Sequence, residues 1–442
     1  MPEIKNLDDH IKTIYNSHAH CFTIDHVPDY FAKGYFPVKI SWLRKYGILK
    51  WLVANLPKII SWKAEMLQRL SNLVIYADEK TQEDVIKNLA SYYPANAKFV
   101  LLTMDMEYMD AGDPPVKFKE QLKELEDLKV NSKELKDKIF PFIFIDPRRV
   151  TAKKENEGDF VGNEFVGKVK EYINNGTYTG LKLYPPIGYY PFDKGLKELY
   201  QFALDNQLPL ITHCIKGVVH FRGDKKPEWT VHPVTGQNLP GDKAKDYANN
   251  LAHPLNFECL LNKKILRELW NDPTVDFSKL KICLGHFGGE DEWDDFLENP
   301  WIPDVGLTGD DSLIDIKHPW FKVEDFDTLY KTEKEKLEHT PFSWFSVVCK
   351  LITNPEYENV YADISYTLSD PKMYPLLKVV LESNETIRKR VLFGTDFYVV
   401  AKAGAERELC INLRGYLGEE LFKQIAETNP REFLKNKLNQ NV

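Results

Sequence analysis

Five side chains of metal-binding types follow short apolar runs in this sequence of 442 residues. His18 and His20 lie in IYNSHAH, His213 ends PLITH, His286 ends ICLGH, and Asp396 ends VLFGTD. A polar group at the end of a buried run is costly unless it has a partner. Imidazoles combined with a carboxylate are typical ligands of Zn²⁺, and they also suit Mn²⁺, Fe²⁺ or Co²⁺. The five residues together predict a divalent-metal site, with zinc as the first expectation.

The spacing of the first two histidines supports this interpretation. Residues i and i+2 of a strand share a face, so His18 and His20 are placed to converge on one ion. Taken singly, each of the five residues has an ordinary explanation, as a hydrogen-bonded buried histidine or an aspartate that caps a helix. Their joint placement favours a metal that lowers the pKa of its water toward about 7. A nearby unligated imidazole or carboxylate would then move the proton.

Eight apolar runs rich in β-branched and aromatic residues recur along the chain, separated by segments that fit helices. Nearly continuous apolarity is typical of parallel strands buried on both faces. The count of eight favours an α/β fold of the (β/α)8 TIM-barrel type over an open doubly wound sheet. The predicted strands cover residues 12–18, 98–104, 139–145, 180–184, 208–212, 280–285, 359–364 and 390–393.

The length is compatible with one barrel domain over residues 1–442 that carries long insertions after strands 1, 5 and 6. These cap-like insertions cover about 21–97, 215–257 and 288–345. The first is basic and apolar, which favours a helical cap or a subunit contact over a membrane-surface helix, and which leaves a homodimer open. Residues 117–138 are predicted to form a solvated outer helix, because leucines recur there among mixed charges.

Composition excludes several classes of partner. A net charge of -8 argues against nucleic-acid binding, which requires a basic face, and it leaves a small molecule as the expected partner. No apolar stretch is long enough to span a bilayer or to serve as a signal peptide, so a cytoplasmic location without membrane insertion is expected. The six cysteines form no CxxC pair, which favours reduced, buried thiols.

Six motifs occur in a fixed order, namely HAH, GLKLYPP, LITHC, CLGHFGG, VYADISY and FGTD. From about Ile14 to the C-terminal tail, the chain resembles the metal-dependent hydrolases of the amidohydrolase superfamily. The resemblance is to the amidohydrolase-related branch that includes nonoxidative decarboxylases such as aminocarboxymuconate semialdehyde decarboxylase. It implies a TIM barrel whose metal is bound by four residues. It also implies a catalytic imidazole beside them. The implied ligands are His18, His20, His213 and Asp396, with His286 as the catalytic imidazole and Asp396 assisting it.

Three functions follow from these expectations. The first is a hydrolase in which metal-activated water attacks an amide, lactone or ester. The alternative is a metal-dependent nonoxidative decarboxylase of an aromatic or unsaturated carboxylate. The last is a noncatalytic metal-binding barrel, which the presence of all five polar residues argues against.

Substrate contacts are expected from four residues near predicted strand ends. Lys182 shares a strand face with Tyr184, and it has three candidate roles: binding a substrate carboxylate, bridging a second metal after carbamylation, or forming an ion pair. Tyr184 is expected to line the pocket, since it precedes a rigid Pro-Pro turn. Arg148 is a candidate for bidentate binding of a substrate carboxylate, and Arg222 is a candidate in the second insertion.

Four further residues are expected to lie next to the predicted ligands. Asp363 and Ser365 share a face of predicted strand seven. Asn16 stands where the family often has an aspartate, so its support of the first histidine is in question. Gly394 is expected to leave room for neighbouring barrel side chains.

Overall fold

The computed structural model describes residues 10–31, 39–40, 81–216, 219–236, 238–239, 244–298, 343–369, 371–397 and 405–438. Eight parallel strands form one sheet in sequential order, which confirms the predicted α/β barrel. All eight predicted strands are present, with ends shifted by a few residues. They are β1 (Tyr15–Ala19), β2 (Lys98–Leu102), β3 (Ile139–Phe144), β4 (Gly180–Leu183), β5 (Pro209–Ile215), β6 (Lys281–Gly288), β7 (Val360–Asp363) and β8 (Val391–Leu392).

Hydrogen bonds between the last and first strands close the barrel. The N–H of Ser17 donates to the carbonyl of Phe393 at 2.8 Å. Ala19 pairs with Phe397 in a parallel bridge. The register shifts between Asn16 and Ala19, so strict alternation does not hold around His18 and His20. Barrel closure places residues from β1 and the segment after β8 side by side, although they are far apart in the sequence.

The inner face of the barrel carries a separate apolar cluster that includes Val100, Ile211, Cys283 and Tyr361. Lys182 of β4 is in register with Ile211 of β5, and residues in register on neighbouring strands face the same side. The side chain of Lys182 therefore points into the barrel and not toward the outer helices.

Helices cover the outside of the barrel and extend the connections between strands. The helix α2 ends at Asn131 and not at residue 138 as predicted, because Ser132 is extended and the chain turns before β3. In the described part of the chain, no helix is long and apolar enough to cross a membrane. The α-helices are α1 (Gln82–Ser91), α2 (Phe118–Asn131), α3 (Pro147–Thr151), α4 (Gly162–Asn174), α5 (Lys197–Asn206), α6 (Ala244–Ala252), α7 (Leu255–Leu261), α8 (Lys263–Trp270), α9 (Glu290–Glu298), α10 (Trp344–Thr353), α11 (Tyr374–Ser383), α12 (Glu385–Arg388), α13 (Ala405–Leu417), α14 (Glu419–Lys423) and α15 (Asn429–Leu434).

The three predicted insertions fall in the connections after β1, β5 and β6. The connection after β5 carries α6, α7 and α8. Most of the first and third insertions lies outside the described residues, including most of the basic segment and two tryptophans of the third insertion, Trp301 and Trp320. All six cysteines are buried and free, as expected for reduced thiols.

Candidate metal centre

The five predicted metal-site residues gather at the carboxyl ends of the barrel strands. His18 lies in β1 and His20 directly follows it, His213 lies in β5 and His286 in β6, and Asp396 follows β8. All five are buried, with His213 the most exposed at 8%. β5 and β6 extend two residues beyond His213 and His286, so these histidines lie inside the strands and project into the barrel mouth.

His18 is oriented by a carboxylate that lies behind it. Its Nδ1 is 2.8 Å from Oδ2 of Asp363. A carboxylate with a lowered pKa accepts hydrogen bonds, so Nδ1 of His18 carries the proton and Nε2 keeps its lone pair. Nε2 is buried and has no hydrogen-bond partner among the described residues. This is the arrangement in which a second carboxylate fixes the ring of a metal-binding histidine.

His20 is oriented in the same way by a backbone carbonyl. Its Nδ1 lies 3.2 Å from the carbonyl oxygen of Leu102, which can only accept, so Nδ1 carries the proton. The opposite nitrogen, Nε2, lies 3.3 Å from Oδ1 of Asp396. Nε2 of His18 approaches the same oxygen at 3.6 Å. A cation between these atoms would relieve the repulsion of lone pairs that face one another.

Asp396 is ionised in this setting. Burial alone would raise the pKa of its carboxyl group, but the neighbouring imidazoles of His20, His286 and His18 lower that pKa overall. Its backbone is in the left-handed region, with φ of 58°. A non-glycine residue held there costs free energy, which is typical of functional sites.

A chain of hydrogen bonds fixes His213 through His286. Ser365 donates its hydroxyl proton to Asp363. Nδ1 of His286 therefore donates to the Ser365 hydroxyl at 2.9 Å and to its carbonyl at 3.2 Å. Nε2 of His286 is left as an acceptor, and it lies 3.1 Å from Nδ1 of His213. His213 must then donate from Nδ1, and its Nε2 keeps a lone pair that is buried without a hydrogen-bond partner in the described chain.

The ligand atoms of His18, His20 and Asp396 all lie within 4.8 Å of one another, so these three residues fit a single ion. His18, His286 and Asp363 form a second, overlapping group. Since His18 is hydrogen-bonded to Asp363 in that group, it is better explained as support for the ligands. His213 belongs to neither group among the described residues, and its assignment as the fourth ligand stays a prediction.

Lys182 adds a buried positive charge to the site. It is fully buried, and its Nζ has no hydrogen-bond partner among the described residues. Burial lowers the pKa of Lys182 to about 8, while the carboxylates of Asp363 and Asp396 oppose that shift. The sequence left it open whether this lysine reaches the site, and the structure places it there.

The predicted substrate-binding residues have different surroundings. The ring of Tyr184 packs on that of His213, with 4.3 Å between centroids, and its role in lining a substrate pocket stays a prediction. Its hydroxyl donates to the carbonyl of Val219 at 3.2 Å. Arg222 lies 2.9 Å from His220 in the second insertion, and its N–H bonds to the carbonyl of Met109. These contacts tie the insertion to the barrel mouth.

Arg148 is held by the protein itself. Its guanidinium forms a bidentate pair with Asp146, through bonds of 2.9 and 2.6 Å. It also donates to the carbonyls of Tyr108 and Ile187. These bonds occupy the guanidinium nitrogens that were expected to bind a substrate carboxylate. The structure thus favours a role in joining the loops after β2, β3 and β4.

The carboxylates of Asp363 and Glu406 are more closely connected to the site than the sequence predicted. Asp363 was expected only to support the ligands, yet it contacts His18, the backbone N–H of His286 and Ser365. Its position at the end of VYAD was the available signal, since it matches that of Asp396 in FGTD. Glu406, in α13, was missed, and no local pattern around it signals a link to the site.

No protein-family model matches the chain, and no curated protein matches its sequence. Several solved structures are similar to it. A 5-carboxyvanillate decarboxylase from Novosphingobium aromaticivorans, bound to manganese and 4-hydroxy-3-methoxy-5-nitrobenzoic acid, is 11% identical, with a TM-score of 0.47 over 97% of this chain and 99% of that chain. A 2,6-dihydroxybenzoate decarboxylase from Rhizobium is 13% identical, with a TM-score of 0.45 over 96% and 98%. An uncharacterised TIM-barrel protein from Bordetella bronchiseptica is 14% identical, with a TM-score of 0.43 over 96% and 98%.

Proposed function

We propose that this chain is a metal-dependent hydrolase of the amidohydrolase type, which acts on an amide, lactone or ester of a small molecule. The observation that carries the proposal is the approach of Nε2 of His20 to Oδ1 of Asp396 at 3.3 Å. The proton of His20 is on its other nitrogen, so a cation is the natural partner for both atoms. His18 presents Nε2 to the same oxygen, which makes a divalent ion a better fit than a single proton.

We propose one ion per chain, bound by His18, His20 and Asp396, with His213 as the fourth ligand. When bound, a divalent ion supplies an acidified water and polarises a carbonyl group. Asp396 is ionised near neutral pH, so it is able to take a proton from an attacking water. The sequence predicted His286 as the catalytic imidazole, but both of its ring nitrogens are hydrogen-bonded, so we propose instead that it is a positioning residue whose bond to His213 directs the Nε2 lone pair of that imidazole.

The charges of the site support a substrate that carries a carboxylate. Asp363 and Asp396 are negative and Lys182 is positive, so the protein groups alone leave one negative charge. A divalent ion reverses this to one positive charge when the imidazoles are neutral. An anionic substrate then restores neutrality, which favours its transfer into a buried site. In this proposal Lys182 attracts the carboxylate, and Tyr184 and Arg222 contribute the wall and lid of the pocket.

Nonoxidative decarboxylation is the second candidate. The observation that favours it is the burial of Lys182 beside the predicted metal ligands. Loss of CO2 leaves an electron pair on the substrate, and a buried ammonium stabilises developing negative charge more strongly than an exposed one. Hydrolysis of an amide, in contrast, requires a group that protonates the leaving amine. Both ring nitrogens of His286 are hydrogen-bonded, so His286 is not free to do this, which favours decarboxylation.

A screen of reactions distinguishes the two candidates. Zn²⁺-loaded and Mn²⁺-loaded protein would be assayed with N-acyl amino acids, carboxylated lactones and hydroxybenzoates, with acid release and CO2 release recorded separately. Acid release without CO2 supports the hydrolase, and CO2 release supports the decarboxylase. The Asp396→Asn protein is the control for both reactions. Turnover by neither metal form, or equal turnover by the control, would reject the proposal.

A further inference from the structure

Glu406, in α13, is a buried carboxylate on the outer side of the junction between β1 and the segment after β8. Its side chain is 5% exposed. Its Oε1 accepts hydrogen bonds from Tyr93 at 2.6 Å, Thr395 at 2.7 Å and Asn16 at 3.3 Å. Burial raises the pKa of Glu406 to about 7, although the bonds from Tyr93 and Thr395 lower it. One acceptor oxygen thus joins three parts of the chain.

Asn16 extends this network to the backbone beside two predicted ligands. Its Oδ1 accepts from the N–H of His18 at 3.3 Å and from the N–H of Thr395 at 3.2 Å. Its Nδ2 donates to the hydroxyl of Thr395 at 2.7 Å. The N–H of Asp396 donates to the carbonyl of His18 at 2.9 Å. The backbones that carry His18 and Asp396 are therefore held together by the network that Glu406 anchors.

The network lies at the two places where the barrel backbone is irregular. The register of β1 shifts after Asn16. Asp396 has a left-handed backbone, with φ of 58°. Such conformations persist only when the surrounding structure holds them. The regular ladder of β8 covers only Val391 and Leu392, so it ends before Asp396.

We propose that Glu406 and Asn16 are positioning residues for the metal centre, which set the spacing of His18 and Asp396 from behind. This inference rests on the proposed metal site. Loss of the acceptor at position 406 removes one bond each from the Thr395 and Asn16 side chains, which weakens their hold on both ligand backbones. Support of this kind affects metal affinity by about 10-fold to 100-fold when it is removed.

The test compares two buried carboxylates, one bonded to Asn16 within β1 and one bonded to the backbone before β1. Glu406→Leu removes the acceptor, and Glu406→Gln keeps an amide oxygen in its place. Glu427→Leu is the matched control, because Glu427 is also 5% exposed and its Oε2 accepts from the N–H of Lys12, before β1. Affinity for Zn²⁺ and for Mn²⁺ would be measured by calorimetric titration of the metal-free proteins, together with urea unfolding.

We expect Glu406→Leu to weaken metal binding by about 10-fold or more, and Glu406→Gln to retain affinity within about threefold. Glu427→Leu is expected to lose stability without a comparable loss of affinity. Equal losses of affinity in Glu406→Leu and Glu427→Leu would overturn the inference, because affinity would then follow stability alone. A wild-type chain that binds neither metal would overturn the metal site as well, so the two failures are distinguishable.

A charge exchange provides a second test if Glu406→Leu does not fold. Asn16→Asp places a carboxylate against Glu406 and removes the Nδ2 donor, so it should weaken metal binding. Combining Asn16→Asp with Glu406→Gln restores one acid and one amide to the pair. Recovery of affinity in the double variant supports the inference, and additive losses overturn it.

Discussion

Nε2 of His286 lies 3.1 Å from Nδ1 of His213, and this bond determines which nitrogen of His213 is free to bind a metal. The direction of the bond is set by Ser365, whose carbonyl only accepts. His18 and His20 reach the same state through Asp363 and Leu102. Three imidazoles are thus prepared as neutral ligands by three different acceptors.

Replacement of Asp363 by asparagine should disturb the orientation of His18. An amide that turns its NH2 group toward Nδ1 of His18 drives the ring proton to Nε2, where it blocks a metal. We expect Asp363→Asn to lower metal affinity by about 10-fold to 100-fold. Calorimetric titration with Zn²⁺ measures this effect. An unchanged affinity would show that His18 does not depend on the carboxylate.

Gly394 is predicted to be required for the position of His18. A Cβ added at Gly394 would lie 2.8 Å from Cβ of His18 and 3.1 Å from its backbone nitrogen. Gly394→Ala should therefore lower the free energy of unfolding by about 1–3 kcal/mol and weaken metal binding. Gly167→Ala is the control, since nothing lies within 4 Å of the added atom. In helix α4 it should stabilise the fold by about 0.5–1 kcal/mol in urea unfolding. Similar effects of the two substitutions would contradict the account.

Replacement of Arg148 tests its structural role. We expect Arg148→Ala to lower the free energy of unfolding by about 2 kcal/mol, because the bidentate pair with the buried Asp146 is lost. The KM for any substrate found by the screen should stay within about threefold, since the guanidinium is engaged by the protein. A large rise in KM with unchanged stability would restore the sequence-based expectation that Arg148 binds substrate.

Stability of the metal-free protein should fall as the pH is lowered from 7 to 5. Burial lowers the pKa values of His18 and His232 to about 4, and it also lowers the pKa values of His213 and His286. The unfolded chain therefore binds more protons below pH 6.5, which favours unfolding. Glu406 acts in the opposite direction, because its raised pKa of about 7 stabilises the fold as the pH falls toward 4.5.

The four histidines outweigh the one glutamate between pH 7 and pH 5. We expect a net loss of about 2 kcal/mol between pH 7 and pH 5, measured by urea unfolding in the presence of a chelator. Equal or greater stability at pH 5 would mean that these histidines are not held neutral. Added Zn²⁺ should stabilise the protein more at pH 7 than at pH 5, because protons compete for the ligands.

The barrel could be predicted because its signals are local. Each strand is a short apolar run, and the count of eight, together with helix-compatible connections, favours closure. Most residues of the candidate metal site could be predicted in the same way, because each of them follows one of these short apolar runs. Lys182 was ambiguous in sequence because its direction depends on register with Ile211, which only strand pairing determines.

The contacts that were missed are long-range. Asn16 and Glu406 are separated by 390 positions, and only barrel closure brings them together. Arg148 was expected to bind substrate because a short-range pattern cannot show that Asp146, two residues earlier, occupies its guanidinium. The register shift in β1 was also invisible, since the alternation rule assumes a regular strand.

The central claim is that one divalent ion is bound by His18, His20 and Asp396. Anomalous X-ray diffraction at the zinc absorption edge, from crystals of the Zn²⁺-loaded protein, tests it most directly. The account predicts one anomalous peak at about 2.0–2.2 Å from Nε2 of His18, Nε2 of His20 and Oδ1 of Asp396. A peak centred between His18, His286 and Asp363, or no peak in the barrel mouth, would contradict it.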